Sequence, residues 1–463
     1  MHTVDFFRKD VVDNYFEFER TIYLEYRKMA DEKLQKEIQS VLKSDFFLGM
    51  LKIVAGRCGY KFKEYRKITV ILGSGTKIEI ASPVFIKSKS EERKKGRQKK
   101  RKAVTKHFAI EHMGFIERKS PGLVSLCSQA AILCPSFDVA VKFLNNQNIN
   151  INHSFLQKLT YTLADMAMRN RTTVALDSRI KEKGLHILIC IDGGRIRERV
   201  KKRGARNKGL KRQGFTTDWK EPKLFTVHLV DENGRVDRSF KPLYDGTLEN
   251  ADGMFDLLEK YLKNFNIEDS KRVTFCCDGG SWIWNRIPEL AIKLGIENYS
   301  EVLDYTHAKQ NLRGVLDIVL ASKGITQKDY EKTYTKLKNL LWEGRVSEIR
   351  SFVCNKLKNK RGKKKAVNKL DNYFGESRKF QYSKFKEKGI PIGSGTVESA
   401  IRRVLNLRIK GPGVFWKKEN AERMIFLRSQ LLSDRWNIMM ENINLFRRKD
   451  LKIQELEEFK NAA

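Results

Sequence analysis

Three acidic residues have positions along the chain that suit a site for divalent cations. Asp192 follows the apolar run 185–191, Asp278 follows the apolar run 273–277, and Glu398 lies where the segment 393–399 is expected to enter a helix. Carboxylates at two strand ends and on one helix can converge on two metal ions about 4 Å apart, which activate a water and stabilise an in-line phosphoryl displacement. Oxygen ligands of this kind suit Mg²⁺, with Mn²⁺ as a substitute. The three acids therefore predict a metal-dependent site for phosphoryl transfer.

The elements that must position these acids have an α/β pattern. Strands that alternate with crossover helices favour a mixed sheet with helices on its faces. Asp245 is a fourth acid in this region, but no predicted strand leads directly into it. Strands are predicted at 185–191, 223–230, 235–240, 272–277 and 301–303, and helices at 250–264 and 284–295.

Three lysine- and arginine-rich segments accompany this pattern. Helix formers dominate 308–388, which predicts a helical insertion between the last strand and the Glu398 helix that need not touch the metals. The segment 195–212 directly follows Asp192, so it either lies where a DNA backbone passes or forms a solvated loop. An exposed basic loop is also predicted at 355–365.

The first part of the chain is predicted to be mainly helical. Residues 4–56 have a helical period, residues 67–87 alternate as in a β-hairpin, and residues 91–102 form a basic run. That run is either a solvated linker or an arm that neutralises DNA phosphates without sequence discrimination.

Residues 122–168 are predicted to form a compact helical unit. Helices are expected at 123–134 and 137–144, with Ser136 as the cap of the second, and a third helix follows the polar stretch 145–152. This layout is that of a helix-turn-helix DNA reader, and it is also that of many ordinary helical hairpins. If the unit reads DNA, its exposed recognition residues are His153, Ser154, Gln157, Lys158 and Tyr161.

The charge of the chain indicates a polyanionic partner. Lys and Arg number 92 against 56 Asp and Glu, a formal net charge of +36. Such an excess favours nucleic acid first and an anionic membrane surface second. Polar residues interrupt the most apolar stretch, 123–141, so no membrane-spanning helix is predicted, and the first residues lack a secretory pattern. Seven scattered cysteines without a C-x-x-C pair fit a reducing, cytoplasmic compartment and give no zinc site.

Five ordered motifs carry a resemblance to a known family. They are Ile191-Asp-Gly-Gly194, Cys277-Asp-Gly-Gly-Ser-Trp-Ile-Trp284, Val302-Leu-Asp-Tyr-Thr-His307, Ile392-Gly-Ser-Gly-Thr-Val-Glu-Ser399 and Arg408-Ile-Lys-Gly-Pro-Gly-Val-Phe-Trp416. In this order and spacing, over about residues 120–436, the chain resembles the Mutator-like transposases of bacterial and archaeal insertion sequences, especially the ISKra-type branch.

The resemblance implies an RNase H-like fold that holds a DDE triad. Asp192, Asp278 and Glu398 would be the catalytic and metal-binding acids, and Asp304 and His307 of a D-x-x-H motif would support the site. The expected domains are an N-terminal region with hairpin and basic arm (1–120), a helix-turn-helix-like domain (121–180), the first part of the catalytic core (181–307), the helical insertion (308–388), and the helix of the third acid with C-terminal helices (389–463).

The function implied is that of an insertion-sequence transposase in the prokaryotic cytoplasm, associated with the nucleoid. Such a protein binds terminal inverted repeats in double-stranded DNA, then cleaves strands and transfers them to target DNA, and it is expected to act as a homodimer or higher assembly. The residues expected to contact DNA are His153, Gln157, Lys158, Arg195, Arg197, Arg402, Arg403, Arg408 and Lys410.

Other interpretations of the same residues stay open at this point. A structure-selective RNase H-like nuclease would cut without joining, and a domesticated transposase would bind DNA as a regulator with an idle site. An Asp-Gly pair after a strand is commonly a turn, Glu398 alone could be a helix-start carboxylate, and His307 alone could be a packed histidine.

Overall fold

The computed structural model describes residues 14–87, 104–202, 204, 214–320, 325–357 and 362–450. The predicted basic arm at 91–102 lies outside them, as does most of the stretch 203–213. The chain divides into two compact units, residues 1–163 with 440–463 and residues 164–439. Among the described residues, no helix combines the length and the apolar character needed to cross a membrane.

The first unit is built from helices around a small antiparallel sheet. Its hairpin, β1 (Lys61–Ile71) with β2 (Lys77–Lys87), is extended by β3 (Val104–Lys106). Leu42, Val54, Val70 and Phe85 belong to its buried core. The helices are α1 (Tyr15–Lys43), α2 (Asp45–Arg57), α3 (Phe108–His112), α4 (Pro121–Leu133) and α5 (Phe137–Asn146), and α6 (His153–Met168) follows.

The cap of α5 is the one that the sequence predicts. Ser136 has extended backbone angles, and its Oγ accepts a hydrogen bond of 3.1 Å from the Val139 amide. This bond satisfies one of the amides that the start of a helix leaves without a partner. The helices α4, α5 and α6 therefore follow the predicted order, while a helix-turn-helix function for them stays a prediction.

The second unit contains a mixed five-stranded sheet, with strand order β10-β9-β4-β7-β8. The strand β4 pairs in parallel with β9 and antiparallel with β7, and β9 pairs in parallel with β10. Both faces of β4 are covered, since residues 186–191 are all buried. The strands are β4 (His186–Gly193), β7 (Lys223–Leu229), β8 (Leu243–Thr247), β9 (Arg272–Cys277) and β10 (Tyr299–Leu303), and β5 (Ile196–Lys201) and β6 (Phe215–Lys220) form a separate hairpin. This mixed α/β architecture is compatible with the RNase H-like fold.

Helices surround this sheet and fill the interval between β10 and Glu398. The described residues of 308–388 contain helices and irregular segments but no strand, as their composition predicts. The helices of the unit are α7 (Ala251–Leu262), α8 (Ser281–Trp284), α9 (Ile287–Lys293), α10 (Tyr305–Val319), α11 (Gln327–Trp342), α12 (Val346–Lys356), α13 (Lys363–Tyr373), α14 (Tyr382–Glu387), α15 (Gly395–Ile401) and α16 (Lys418–Leu432), before α17 (Trp436–Asp450).

The predicted strand at 235–240 is wrong, and the strand lies at 243–247 instead. Within 235–240 only Val236 pairs, in an isolated bridge with Val230. The preceding residues turn back on themselves at Gly234, which has a φ of 74° and donates to Asp231. The chain therefore pairs with β7 only after this turn, through Leu243–Thr247.

Asp245 lies inside β8, contrary to the expectation that no strand leads into it. Its side chain is fully buried. Arg171 donates to both of its carboxylate oxygens at 2.7 and 2.8 Å, and the Tyr261 hydroxyl donates to it at 2.8 Å. Asp245 is thus a structural acid, and its oxygens are committed to an arginine and a tyrosine.

Replacing Asp245 by Ala is expected to destabilise the protein by about 3–5 kcal/mol, because the largely buried Arg171 would lose its two-bond carboxylate partner and keep, as its counter-ion, only the longer contact of 3.5 Å with Glu422. The shift of the urea midpoint measures this loss. The matched control is Asp252→Ala, which breaks an exposed pair of 2.7 Å with Arg286. That pair is expected to contribute no more than about 1 kcal/mol. Equal destabilisation by the two variants would contradict the role assigned to Asp245.

Candidate active site

Three acids stand at the same edge of the sheet because their strands are neighbours and run in parallel. Asp192 lies near the end of β4, Asp278 directly follows β9, and Asp304 directly follows β10. The carboxyl ends of parallel strands are the usual place for binding sites in α/β sheets. The topology thus collects at one edge residues that are far apart in the sequence.

Glycines after the first two acids allow close approach as well as a turn. The Gly193 amide donates to Asp192 at 2.6 Å, and the Gly279 amide donates to Asp278 at 2.5 Å. A Cβ on Gly279 would lie only 2.5 Å from Cδ2 of the Tyr373 ring. The Asp-Gly pairs therefore do more than reverse the chain, since any side chain at Gly279 would push Tyr373 away.

Asp304 connects two elements that carry other residues of the site. Its Oδ1 accepts a hydrogen bond of 2.7 Å from the His307 amide, which caps α10. Its Oδ2 accepts from the Ser394 amide at 2.5 Å and from the Ser394 hydroxyl at 3.0 Å. Asp304 is 1% exposed. This buried carboxylate therefore fixes the start of α10 to the loop that leads into the Glu398 helix.

His307 lies between two of the predicted catalytic acids. Its Nδ1 is 3.1 Å from Asp278 Oδ1, and its Nε2 is 3.1 Å from Glu398 Oε1. Glu398 is in the first turn of α15, and its neighbour Thr396 contacts Cys190 of β4 at 3.4 Å. One imidazole thus connects a strand end with the helix that carries the third acid.

The electrostatics of the site show that Asp192 belongs to the same cluster. Burial, together with the charges of Asp278 and Glu398, raises the pKa of Asp192 to about 6. The hydrogen bond to Asp278 and the surrounding carboxylates raise the pKa of His307 to about 9, against the effect of its burial. Burial would also raise the pKa of Asp278, but hydrogen bonds from His307 and the Gly279 amide hold it below its ordinary value. The cluster therefore carries an excess of negative charge.

The donor set fits a hard divalent cation. Asp192, Asp278 and Glu398 offer carboxylate oxygens, the ligands that Mg²⁺ and Mn²⁺ prefer. Ligand atoms of Asp304, His307 and Glu398 lie within 4.8 Å of one another, whereas those of Asp192, Asp278 and Glu398 do not all lie that close. Both oxygens of Asp304, however, already accept hydrogen bonds from His307 and Ser394.

Tyr373 is a member of the site that the sequence analysis missed. It ends α13, within the insertion for which no contact with the metals was required, and its hydroxyl donates to Asp278 Oδ1 at 3.3 Å. Burial and the charge of Asp278 raise the pKa of this phenol, so it remains a donor. No local signal marks Tyr373. The re-entry motif at 393–395, in contrast, does point to Ser394.

Arg195 and Arg197 lie beside the site, on and just before the hairpin strand β5. Arg195 stacks over the Trp219 ring at 4.5 Å, and Arg197 stacks over the Phe415 ring at 4.6 Å. This hairpin was not predicted: the segment 195–212 was expected either to lie where a DNA backbone passes or to form a solvated loop. Both arginines are therefore held in strand geometry on an aromatic surface.

The basic residues after Glu398 divide into two pairs. Arg402 and Lys410 are exposed. Arg403 donates to the Tyr244 hydroxyl at 2.9 Å, and Arg408 is 5% exposed with its guanidinium 5.3 Å from the centre of the Trp416 ring. Arg408 is buried against Trp416, which does not suit the expected contact with DNA. Arg403 already donates to Tyr244.

The predicted recognition residues on α6 have mixed exposure. His153, Ser154 and Lys158 are exposed, and Gln157 and Tyr161 are half-buried. Lys158 pairs with Glu117 at 2.9 Å, and the rings of His153 and Tyr161 both contact Phe137. A role for these residues in reading DNA stays a prediction.

Comparison with solved structures gives a distant structural likeness. No family model matches the chain, and no curated protein matches it. Among solved structures, the chain is similar to the Drosophila P element transposase in its strand transfer complex, with 10% sequence identity and a TM-score of 0.32. The similarity covers 70% of this chain and 94% of that chain.

Proposed function

We propose that this protein is an insertion-sequence DNA transposase of the Mutator-like type, with a DDE active site on an RNase H-like sheet. The observation that carries the proposal is the meeting of Asp278 and Glu398 on His307, with Asp192 in the field of both. Burial and the neighbouring carboxylates raise the pKa of Asp192, and a perturbed acid beside other acids favours a cationic ligand over a purely structural role.

The reaction proposed is a pair of phosphoryl transfers. In the first, water attacks the phosphodiester at the end of the element, the P–O3′ bond breaks, and a 3′-hydroxyl is freed. In the second, that hydroxyl attacks a phosphodiester of the target, a new P–O3′ bond forms, and a target 3′-hydroxyl leaves. Both steps are in-line displacements that need the same arrangement of acids.

The side chains of the site have separate tasks in this proposal. Asp192, Asp278 and Glu398 would hold Mg²⁺, which supplies positive charge for the attacking oxygen and the phosphate. His307 and Tyr373 hold the Asp278 carboxylate in one orientation, and His307 also holds Glu398. Such preorganisation is how a protein contributes to phosphoryl transfer when the bound ion supplies most of the charge stabilisation.

A strand-transfer assay tests the function. A duplex that contains the DNA flanking the gene is offered either intact or already cut at the element end, with Mg²⁺ and a supercoiled target plasmid. Joining of the pre-cut end to the plasmid is expected, and an end with a 3′-deoxy nucleotide should give no product because the nucleophile is missing.

The other candidate functions give different products in the same assay. Cleavage without joining would indicate a nuclease, and tight binding without cleavage would indicate a DNA-binding regulator. Either result would overturn the transposase proposal. Imperfect inverted repeats bounded by short direct repeats around the gene would support it independently.

DNA affinity is expected to fall steeply with salt, with a log–log slope of about −0.9 for each neutralised phosphate. Replacing the lysines and arginines of 94–102 by Ala should reduce that slope and weaken binding to all sequences alike. Fluorescence anisotropy at several salt concentrations measures both effects.

Variants of α6 are compared with the 94–102 variant by the same measurement of DNA affinity. Gln157→Ala or Lys158→Ala should weaken binding to the inverted repeat more than binding to random DNA, because base contacts specify while phosphate contacts position. If these variants and the 94–102 variant changed the two affinities in the same proportion, the helix-turn-helix interpretation would lose its support.

A further inference from the structure

The β5–β6 hairpin has two chemically different faces. The antiparallel register pairs Arg197 with Trp219, Arg199 with Thr217, and Lys201 with Phe215. Because paired residues point to the same side of a hairpin, these cations and aromatic rings share one face. The other face carries the acids Glu198 and Asp218. The strands themselves thus separate a face that is cationic and aromatic from a face that contains the acidic residues.

On the first face, guanidinium groups and rings form a continuous ladder. Arg195 lies 4.5 Å and Arg197 5.7 Å from the centre of the Trp219 ring. Arg199 lies 4.2 Å from the centre of the Phe215 ring. Cation–π contacts of this kind hold a guanidinium flat against a ring. Arg197 also donates to the Gly411 carbonyl at 2.6 Å, whereas the side chain of Arg195 is exposed, so its guanidinium can reach phosphate oxygens.

On the second face, the charges are neutralised within the hairpin. Lys220 lies 2.9 Å from Asp218 and 3.9 Å from Glu198. The positive potential of the hairpin is therefore concentrated on the ladder face. Trp219 is 48% exposed there, so nearly half of a large aromatic side chain is presented to solvent beside two guanidinium groups.

The hairpin leaves the sheet immediately beside the proposed catalytic acid. Only Gly193 and Gly194 separate Asp192 from Arg195, and the Gly194 amide donates to the Pro222 carbonyl at 2.7 Å, which closes the base of the hairpin. The strand β5 is also held from outside, because the Arg199 amide donates to the Trp416 carbonyl at 2.7 Å. The ladder thus begins three residues after Asp192, and backbone hydrogen bonds to Pro222 and Trp416 hold its strand in place.

We infer that the ladder face of β5–β6 is a binding platform for unpaired DNA bases next to the phosphodiester on which Asp192 acts. Base–aromatic stacking with adjacent cations is the chemistry by which proteins hold single strands without sequence preference. A fully paired duplex hides the faces of its bases, so it cannot use an exposed indole in this way. The inference rests on the proposed function for the identity of the nucleic acid as DNA.

The test compares single-stranded and duplex DNA. Binding of fluorescein-labelled oligo(dT) and of a duplex of equal length is measured by anisotropy for the wild-type protein and for Trp219→Ala. Loss of one stacked base is expected to weaken single-strand affinity by about ten-fold or more, while duplex affinity changes by less than about two-fold. Trp219→Phe keeps a ring and should retain most of the single-strand affinity.

The matched control is Lys220→Ala on the opposite face, which removes a positive charge from the same hairpin. It should leave single-strand affinity close to that of the wild type. If Lys220→Ala and Trp219→Ala had the same effect, or if Trp219→Ala weakened duplex binding as strongly as single-strand binding, the platform would be refuted. If Trp219→Phe retains most of the affinity for oligo(dT), the hairpin still folds when Trp219 is replaced.

The Asp192→Asn variant separates this inference from the proposed function. It should bind oligo(dT) as the wild type does, because the ladder does not include Asp192. A protein that neither cleaves nor joins DNA but still shows the Trp219 effect would refute the transposase and keep the platform. A protein that cleaves and joins DNA but binds oligo(dT) normally after Trp219→Ala would refute the platform alone.

Discussion

Replacing Asp192 or Asp278 by Asn, or Glu398 by Gln, is expected to reduce DNA cleavage and joining by about a thousand-fold or more, the loss that follows when about 4 kcal/mol of transition-state stabilisation disappears. Each substitution keeps the size of the side chain and removes one anionic oxygen ligand. DNA affinity should remain close to wild type because the basic surfaces are unchanged. Gel analysis of labelled products measures the reaction, and anisotropy measures the affinity.

The control for this series is Glu268→Gln, which removes one carboxylate at an exposed position outside the site. It should cleave and join as the wild type does. The double variant Asp192→Asn with Asp278→Asn should be no worse than either single variant, because residues that act as one unit are not additive. An acid whose substitution behaved like Glu268→Gln would not belong to the site.

The strands that carry the first two acids could be predicted because their sequences have a local signal. The runs before Asp192 and Asp278 are apolar except for His186 and Thr274, as expected for strands buried on both faces, and the structure has β4 and β9 there. The predicted Ser136 cap is confirmed for a similar reason, since a serine before an apolar helical period is a strong local signal.

The β5–β6 hairpin could not be predicted because its apolar residues are few. Arginines, lysines and threonines fill both strands, a composition that is typical of solvated loops. The strands exist because arginine side chains stack on Phe215, Trp219 and the distant Phe415. A contact with a residue about two hundred positions away has no signature in the hairpin itself.

Tertiary contacts that leave no local signal also decide the roles of individual side chains. Arg408 was expected at the DNA and is buried against Trp416, while Tyr373 was not considered and donates to Asp278. In both cases a tertiary partner decides the role. The prediction of a strand at 235–240 is wrong for a different reason, because the chain turns at Gly234 and pairs with β7 only from Leu243 onward.

Asp304→Ala is expected to lower the rate of cleavage by about a hundred-fold, because it disturbs two catalytic groups by a small displacement. Without the carboxylate, the amides of His307 and Ser394 both lose their acceptor. The start of α10, which carries His307, is then no longer tied to the loop that leads into the Glu398 helix, α15. The effect should appear in kcat more than in KM, since DNA is still bound by the basic surfaces.

Loss of stability must be separated from loss of positioning. Asn250→Ala is the matched control, because Asn250 caps α7 through a bond of 2.9 Å to the Gly253 amide and touches none of the site residues. Removal of such a cap costs about 0.5–2 kcal/mol. At a temperature where both variants are folded, Asn250→Ala should retain wild-type kcat.

Ser394→Ala gives the intermediate case, because it removes the hydroxyl bond to Asp304 and keeps the amide bond. Its kcat should lie between that of the wild type and that of Asp304→Ala. The Mg²⁺ concentration that gives half of the maximal rate should increase from the wild type to Ser394→Ala and again to Asp304→Ala. If Asp304→Ala kept the kcat of Asn250→Ala, the buried carboxylate would serve only the stability of the fold. The arrangement of His307 and Glu398 would then have to be maintained by β10 and α15 without it.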